Sequence, residues 1–364
     1  MHVTIVAGFD AAGPSAGGTR AYAEGLAGFL SSENIPHLLV SAGTGGHTAV
    51  NRYEIPIRRR SSGLSFQSAV YAYVRSLPIP RDTIVHTQRP ETLIPFFLAR
   101  RGRARIVTLH GSPARAIEER RGRLVGAIYR QVERVGLRRA HHVIAVDAGT
   151  AEEYTRRYGW LRGRLSVIPN GVDSTSFHSM NRGEAKRKWG IEGSAFLYAG
   201  RLEPEKRVLE ILRAFRTLGN GHATLLIAGD GTQRSTLKAA ARGLPVRLLG
   251  DVPRSEVPSL LNASEAVVLF SVREGLPMVA LEALACGTPV ITTAAGDLRS
   301  LIRHGETGYL VSSPSQLELA MRDVLEGKLR AAPSIATSVA PYDWREVGPR
   351  ILQLYEEVWS ARAS

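Results

Sequence analysis

The strongest constraint on the fold is a pattern that occurs twice along the chain, in which short apolar β-type runs alternate with segments of helical period. Such alternation predicts a parallel sheet that is covered by helices on both faces. The first series predicts strands near residues 2–8, 38–41, 83–87, 105–110 and 143–146, and the second near 195–200, 223–229, 246–250, 266–271 and 290–293.

The pattern stops at residues 165–173, where Pro169 and the pair Asn170-Gly171 signal a turn, and then restarts. With 364 residues and 44% hydrophobic content, the chain is long enough for two cores. We therefore predict an α/β fold with two Rossmann-like domains, 1–170 and 171–343, facing each other across a ligand-binding cleft. Helices are predicted near 18–31, 66–77, 90–101, 115–139 and 149–159, then near 206–218, 232–242, 254–262, 277–286, 315–326 and 344–361.

The formal net charge of +14 is concentrated in the first half of the chain. Residues 1–180 contain 24 Arg, no Lys and 13 acidic residues, an excess of 11 positive charges, whereas the remainder contains 23 basic and 20 acidic residues, an excess of 3. A basic face attracts an anionic acceptor such as a phospholipid headgroup or a polyprenyl phosphate, although a solvated helix face explains it equally well. The densest segments are 58–60, 100–103 and 115–139, in which Arg130, Arg134 and Arg138 share one helical face.

Several partner and compartment classes are disfavoured by composition. No interleaved aromatic residues accompany the arginines, so we expect no nucleic-acid partner. The single cysteine, Cys286, excludes an internal disulfide and a Cys-based metal site, and its apolar neighbours predict a buried thiol. No apolar run approaches the ~18 residues of a membrane span, and no basic leader precedes the first one. We expect a cytoplasmic protein, with peripheral contact between its basic half and the inner face of the plasma membrane left open.

Two carboxylates, Glu274 and Glu282, stand eight positions apart, at the start and on the body of one predicted helix. The loop that carries Gly275, Leu276 and Pro277 follows a buried strand, so its backbone amides and those of the first helical turn are free to bind an anion. Carboxylates beside such an anion site repel bare phosphate and suit hydroxyls. We infer a ligand that carries phosphate flanked by polyols, such as a nucleotide sugar, with acids that only favour the helix dipole as the alternative.

Two cations, Arg201 and Lys206, stand five positions apart on another loop between a strand and a helix. One diphosphate needs about this much positive charge, because Arg offers two parallel hydrogen bonds and Lys a compact charge. The alternative is a surface loop in which Arg201 pairs with Glu203 or Glu205.

These two segments resemble the E-x7-E and Gly-Arg…Lys motifs of the retaining glycosyltransferases with two Rossmann-like domains (GT-B), family 4. The resemblance implies that Glu274 contacts the donor sugar, that Glu282 contacts the ribose, and that Arg201 and Lys206 neutralise the departing diphosphate. It also implies that the last helix, 344–364, packs back on the first domain. One departure is Arg207, where the family usually has Gly after the Lys.

Further elements of the resemblance complete the expected site. In Thr108-Leu-His110-Gly111, the histidine is expected to lie beside the donor sugar, whereas His86, His141 and His142 are taken as core or surface residues. The resemblance implies no cofactor and no obligatory metal, with catalysis assigned to His110, Arg201, Lys206 and Glu274. Other donor-binding positions are Gly17, Gly18, Gly200, Gly229, Gly231, Asp251 and Val252.

The expected activity is transfer of a sugar from a UDP- or GDP-sugar to an acceptor hydroxyl, with retention at the anomeric carbon. An anionic lipid or a lipid-linked glycan is the acceptor class that the charge favours. The alternatives are a nucleotide-sugar 2-epimerase and a basic module that binds membrane or nucleic acid. The short chain argues against relatives of glycogen synthase, starch synthase and phosphorylase. The glycine-rich loop near Gly17 lacks a strict G-x-G-x-x-G sequence, which argues against a nicotinamide cofactor.

Overall fold

The computed structural model describes residues 1–7, 18–43, 46–49, 51–56, 63–76, 80, 82–219 and 223–362, which fall into two units. The first unit contains the described residues of Met1–Pro14, Thr19–Gly171 and Trp344–Ser364. The second contains Gly18 and the described residues of Val172–Asp343. Each unit is built around its own sheet, so the α/β architecture expected from the alternating pattern is confirmed.

The described part of the first unit forms an eight-stranded sheet in the order β3-β4-β2-β1-β5-β6-β7-β8. All neighbouring strands are parallel except the edge pair β3 and β4, which is antiparallel. The sequence pattern did not predict β3 and β4. The strands are β1 His2–Val6, β2 His37–Gly43, β3 Gly46–Ala49, β4 Arg52–Pro56, β5 Thr83–Thr87, β6 Ala104–Leu109, β7 His142–Ala145 and β8 Leu165–Val167.

Helices cover both faces of this sheet, because consecutive strand residues point to opposite sides. In β6, Ile106 joins one apolar cluster and Val107 the other. The single helix expected at 115–139 is divided by Gly122, whose φ of 87° is a left-handed value that only glycine adopts readily. The helices are α1 Gly18–Ser32, α2 Gly63–Ser76, α3 Ile94–Leu98, α4 Pro113–Arg121, α5 Arg123–Arg139 and α6 Ala148–Arg157.

The second unit has a fully parallel six-stranded sheet in its described part, in the order β11-β10-β9-β12-β13-β14. Its strands are β9 Ser194–Ala199, β10 Ala223–Ala228, β11 Val246–Gly250, β12 Ala266–Leu269, β13 Val290–Thr293 and β14 Gly308–Val311. The five predicted strands are present, and β14 is added at the edge. The helices are α7 Arg182–Lys188, α8 Val208–Thr217, α9 Arg234–Ala240, α10 Val257–Asn262, α11 Met278–Ala285, α12 Leu298–Leu301, α13 Pro314–Leu325 and α14 Pro333–Ala336.

The last helix, α15 (Trp344–Ser360), returns to the first unit and packs on α1. The ring of Trp344 stacks on Phe29 with 6.5 Å between the ring centroids. A Cβ atom on Gly25 would lie 2.2 Å from Trp344 Nε1, so this contact requires glycine in α1. At the start of the second unit, Val172 N donates a hydrogen bond to the Tyr342 carbonyl (2.7 Å), which ties its two ends together.

A buried histidine links α15 to the centre of the first sheet. His86 in β5 is fully buried and hydrogen-bonds through Nδ1 to Tyr355 Oη and through Nε2 to Thr108 Oγ1, both at 2.6 Å. Burial, reinforced by His110, lowers the pKa of His86 to about 3. The imidazole is therefore neutral at pH 7 and forms part of the core.

None of the described helices combines the length and the apolar composition that a membrane span requires.

The packing of α15 on α1 predicts opposite effects for two glycines of the same helix. Gly25→Ala should destabilise the protein by about 1–3 kcal/mol, the usual cost of overpacking. Gly28→Ala is the matched control, because a Cβ atom there meets nothing within 4 Å. It should stabilise the protein by roughly 0.5–1 kcal/mol through helix propensity. Thermal and chemical unfolding would measure both, and equal shifts would contradict this packing.

The buried His86 predicts a loss of stability in mild acid. Because its pKa is lower in the folded protein, the unfolded chain binds more protons, so the stabilisation is complete above about pH 6.5 and is lost as the pH falls toward 3. His86 should cost up to about 2 kcal/mol of unfolding free energy between pH 7 and pH 5. Urea unfolding at fixed pH values would measure this loss, and His86→Gln should show a smaller one. Identical pH dependence in the two proteins would refute the assignment.

Candidate active site

The candidate site of the second unit lies where three neighbouring strands of its sheet end. Strands β10, β9 and β12 are adjacent and parallel, so the loops that follow them leave the same edge. Lys206 belongs to the loop after β9, and Glu274 to the loop after β12. The two loops are joined by their backbones as well, since Val272 N donates to the Glu205 carbonyl (2.9 Å).

The central contact is an ion pair between Lys206 and Glu274. Lys206 Nζ lies 2.7 Å from Glu274 Oε1 and 2.8 Å from Oε2. The two side chains are 16% and 11% exposed, so their attraction is screened less than that of a surface pair. The structure thus brings one of the predicted cations onto one of the predicted carboxylates.

Further groups fix the position of the Glu274 carboxylate. Ser271, which is buried, donates its hydroxyl proton to Glu274 Oε1 at 2.6 Å. Thr293 in turn donates to the Ser271 carbonyl at 2.7 Å. Gly296 has a φ of 59°, and a Cβ atom there would lie 2.3 Å from the Glu274 carbonyl oxygen. The sequence motif pointed to Glu274 but not to these supporting residues.

Arg201 lies on the same loop as Lys206 but makes a looser contact. Its Nη2 is 3.8 Å from Glu205 Oε1, and its side chain is 35% exposed. Its backbone carbonyl accepts a hydrogen bond from Tyr198 Oη at 2.7 Å, which holds the turn after β9. The alternative pairing with Glu205 is thus present as a long contact. Glu203 is buried and instead accepts a hydrogen bond from the Thr232 hydroxyl at 2.9 Å.

The predicted glycines of this edge are needed for close backbone packing. A Cβ atom on Gly229 would lie 2.0 Å from the Gly200 carbonyl oxygen, and one on Gly231 would lie 2.5 Å from that of Leu202. The Gly-Asp-Gly element therefore lets the loop after β10 lie directly against the loop after β9.

Lys206 is followed by a strained residue. Arg207 has a φ of 49° and a ψ of 41°, the left-handed conformation, immediately before α8. This conformation costs a non-glycine residue about 1–2 kcal/mol. Position 207 is where the family usually has Gly. Glycine would adopt this left-handed conformation there without strain, whereas Arg207 does not.

Glu282 is buried on the body of α11 and has a different partner. Its Oε1 lies 2.6 Å from Arg254 Nη1, and its side chain is 3% exposed. Burial raises the pKa of the Glu282 carboxyl, while Arg254 opposes that rise. The Arg254 guanidinium also lies over the Phe177 ring, 4.6 Å from its centroid. Sequence reasoning missed Arg254, for which no local motif gives a signal.

The residues around these groups agree with the sequence in part. Pro277 was expected at the first helical position, but it is the residue before α11, which begins at Met278. Leu276 is buried and Gly275 is half-buried. Asp251 is exposed and Val252 half-buried, directly after β11. Cys286 is buried, as expected, and burial raises the pKa of its thiol to about 12.

In the first unit, His110 follows β6 and hydrogen-bonds to Gln88, which follows the adjacent β5. His110 Nε2 lies 2.8 Å from Gln88 Oε1, and the His110 ring contacts the Tyr22 ring edge-on at 4.9 Å. Burial, with a contribution from Arg89, lowers the pKa of His110 to about 3, so its imidazole is neutral. Sequence reasoning missed Gln88. Gly18 is the exposed first residue of α1, and Gly17 lies outside the described residues.

Within the part of the chain that the structure describes, no group of three or more His, Cys, Asp or Glu side chains is arranged to hold a metal ion.

Sequence comparisons assign both halves of the chain to known families. Residues 181–336 match the model of the group 1 glycosyl transferases, and residues 16–176 match that of glycosyltransferase family 4. A glycogen synthase of Mycobacterium tuberculosis is 33% identical over 69% of this chain and 62% of its own length. A D-inositol 3-phosphate glycosyltransferase of Thermobispora bispora is 30% identical over 60% and 56%. The chain thus spans about three fifths of the length of these relatives. The expectation that argued against a relative of glycogen synthase was wrong.

Solved structures share the fold over nearly the whole chain. A sucrose-phosphate synthase from Thermosynechococcus elongatus superposes with a TM-score of 0.79 at 20% identity and covers 99% of both chains. Anabaena HepE in complex with UDP-glucose gives 0.75 at 18% identity, covering 98% of this chain and 100% of its own. The two family matches, which together span residues 16–176 and 181–336, show that the chain belongs to glycosyltransferase family 4, and the shared architecture shows the GT-B fold.

Proposed function

We propose that this protein transfers a glycosyl group from a nucleoside diphosphate sugar to an acceptor hydroxyl, with retention at the anomeric carbon. The observation that carries the proposal is the Lys206–Glu274 pair at the ends of β9 and β12. It sets a cation for phosphate beside a carboxylate for sugar hydroxyls. The solved complex of HepE with UDP-glucose supports a UDP-sugar as donor.

The ion pair would exchange partners when the donor binds. Lys206 would turn to the diphosphate, and Glu274, held by Ser271, would accept hydrogen bonds from hydroxyls of the transferred sugar. Arg201 would add the second positive charge, since its contact with Glu205 is long enough to give up easily. Charge placed in advance where the leaving group becomes negative is usually the largest catalytic contribution.

The reaction needs no protein nucleophile in this scheme. The acceptor oxygen forms a bond to the anomeric carbon on the face that the leaving group vacates, and the bond from that carbon to the diphosphate oxygen breaks. The acceptor proton passes to the departing phosphate, which leaves as the nucleoside diphosphate. His110, neutral at pH 7, would contribute a hydrogen bond to the donor sugar rather than a charge.

Donor binding would depend on Glu282. Its buried carboxyl group, which is paired with Arg254, would accept hydrogen bonds from the ribose hydroxyls. The backbone around Gly18, Gly200, Gly229 and Gly231 would approach the phosphates, with Gly275, Leu276 and Pro277 at the start of α11. The segment Asp251-Val252 would contact the base.

The acceptor we propose is a hydroxyl of an anionic lipid or lipid-linked glycan, supported by the excess of 11 positive charges in residues 1–180. No observation favours the 2-epimerase, because Glu274 and Glu282 are each paired with a cation and neither is placed as a free base.

Removal of either phosphate-binding cation should lower turnover. Lys206→Ala and Arg201→Ala should each reduce kcat by about 10²-fold, as loss of one preorganised group does. Nucleoside diphosphate release from UDP-glucose with a panel of acceptors would measure it. Lys238→Ala, at an exposed lysine of α9, is the control and should keep full turnover. Unchanged turnover in both site variants would rule out the assignment.

Loss of Arg254 should weaken donor binding and make that binding depend on pH. Arg254→Ala removes the group that opposes the raised pKa of Glu282, so the pKa of this carboxyl should rise further and its charged form should be favoured at higher pH. We expect KM for the donor to rise at least tenfold at pH 6 and to recover partly at pH 9, with a smaller change in kcat. Arg254→Lys should restore much of the binding. Arg322→Ala, which breaks an exposed pair with Glu318, is the control. A pH-independent rise in KM would show that Arg254 acts only on the fold.

A further inference from the structure

Helix α5 has its polarity reversed relative to an ordinary surface helix. The side that packs on the rest of the first unit carries four buried residues, Gly126, Glu133, Gly136 and Leu137. The opposite side carries Leu124, Ile128 and Val135, which are 76%, 58% and 46% exposed. Spacings of four and seven residues put these three side chains on one line along the helix. A surface helix normally directs polar residues outward, so this apolar line lacks a partner within the described chain.

Two more apolar residues widen this outward face. Val125 and Val132 are each 37% exposed, so α5 has five of the large apolar side chains exposed in the described residues. Single exposed leucines or valines are ordinary on protein surfaces, whereas a continuous strip on one helix marks a contact surface.

The border of the strip is positively charged. Arg123, Arg134 and Arg138 are exposed on α5. The helix has a single acid, Glu133, which is fully buried and accepts hydrogen bonds from Tyr154 Oη (2.6 Å) and Tyr158 Oη (3.2 Å). The exposed face of α5 therefore presents cations without any acid of its own.

Of the three arginines that the sequence placed on one helical face, Arg130, Arg134 and Arg138, the first does not belong to this exposed surface. Arg130 is only half-exposed and forms an ion pair with Glu118 of α4. The expected cluster at 58–60 lies outside the described residues. The surface is thus defined by the apolar line with Arg123, Arg134 and Arg138 beside it, rather than by an arginine face alone.

We propose that α5 is a docking surface for an anionic phospholipid membrane, with Leu124, Ile128 and Val135 inserted among the acyl chains. A helix with an apolar strip and a basic border lies in the plane of the headgroups, where its arginines meet lipid phosphates. Charge complementarity selects this partner, because residues 1–180 carry 11 excess positive charges. This inference deepens the proposed function. The docking surface itself is argued from α5, and only its link to a lipid acceptor rests on the proposed function.

Vesicle co-sedimentation of the full chain without any nucleotide tests this surface. The parent protein should bind vesicles that contain phosphatidylglycerol and bind phosphatidylcholine vesicles at least tenfold more weakly. The triple variant Leu124→Gln, Ile128→Gln, Val135→Gln should lose tenfold or more of the binding. Its positions are exposed and Gln suits a helix, so it should fold. The matched control is Leu319→Gln with Leu325→Gln, two exposed leucines of α13, which should bind like the parent.

A second variant separates the charge from the apolar strip. Arg123→Gln, Arg134→Gln and Arg138→Gln together should weaken binding by roughly fivefold per arginine and reduce its dependence on salt. Equal binding to both lipids, or a triple Gln variant of the apolar line that binds like the parent, would overturn the proposal. So would a parent that is dimeric in light scattering while the apolar variant is monomeric, since a second copy would then cover α5. Vesicle binding in a protein that UDP and GDP fail to stabilise would leave this surface standing and remove the proposed function.

Discussion

The contact between Lys206 and Glu274 is the interaction on which the organisation of the second unit's site depends. It joins loops that leave adjacent strands, and its surroundings are built to keep it in place. Ser271 holds the carboxylate, Val272 ties the two loops by their backbones, and Gly296 lets the chain pass beneath Glu274. In the proposed reaction, this contact keeps a phosphate-binding cation and a hydroxyl-binding carboxylate side by side, because the two opposite charges attract each other until a substrate separates them.

Much of the fold followed from the sequence, for a physical reason. A parallel strand buried on both faces is a continuous apolar run, and residues 266–270 form such a run between Glu265 and Ser271. The structure also brings Lys206 and Glu274 into contact, because parallel strands deliver their following loops to one edge of the sheet. Errors arose where one residue overrides a periodic pattern. Arginine spacing continues through Gly122, yet its positive φ divides the predicted helix, and Pro277 stands before α11 rather than in it.

The partners of the site residues could not be predicted in the same way. Arg254 and Glu282 are distant in sequence, and so are Gln88 and His110, and their contacts exist only once the sheets have formed. The reversed polarity of α5 was hidden for another reason. Its pattern is amphipathic at the sequence level, but which side faces inward is decided by Gly126 and Gly136, whose small size allows close approach to α4 and to Pro90. Periodicity identifies a helix, whereas contact with neighbours decides which face is covered.

The position of α15 also bears on how the protein is made. The ribosome delivers the chain from its N-terminus, so Tyr22, Leu26 and Leu30 of α1 must wait for Val347, Ile351 and Tyr355 before their layer is closed. All of the second unit is synthesised in the meantime and is free to fold first. The first unit is therefore completed only after the second has been translated, and the nascent chain exposes an apolar face of α1 to chaperones until α15 has been made.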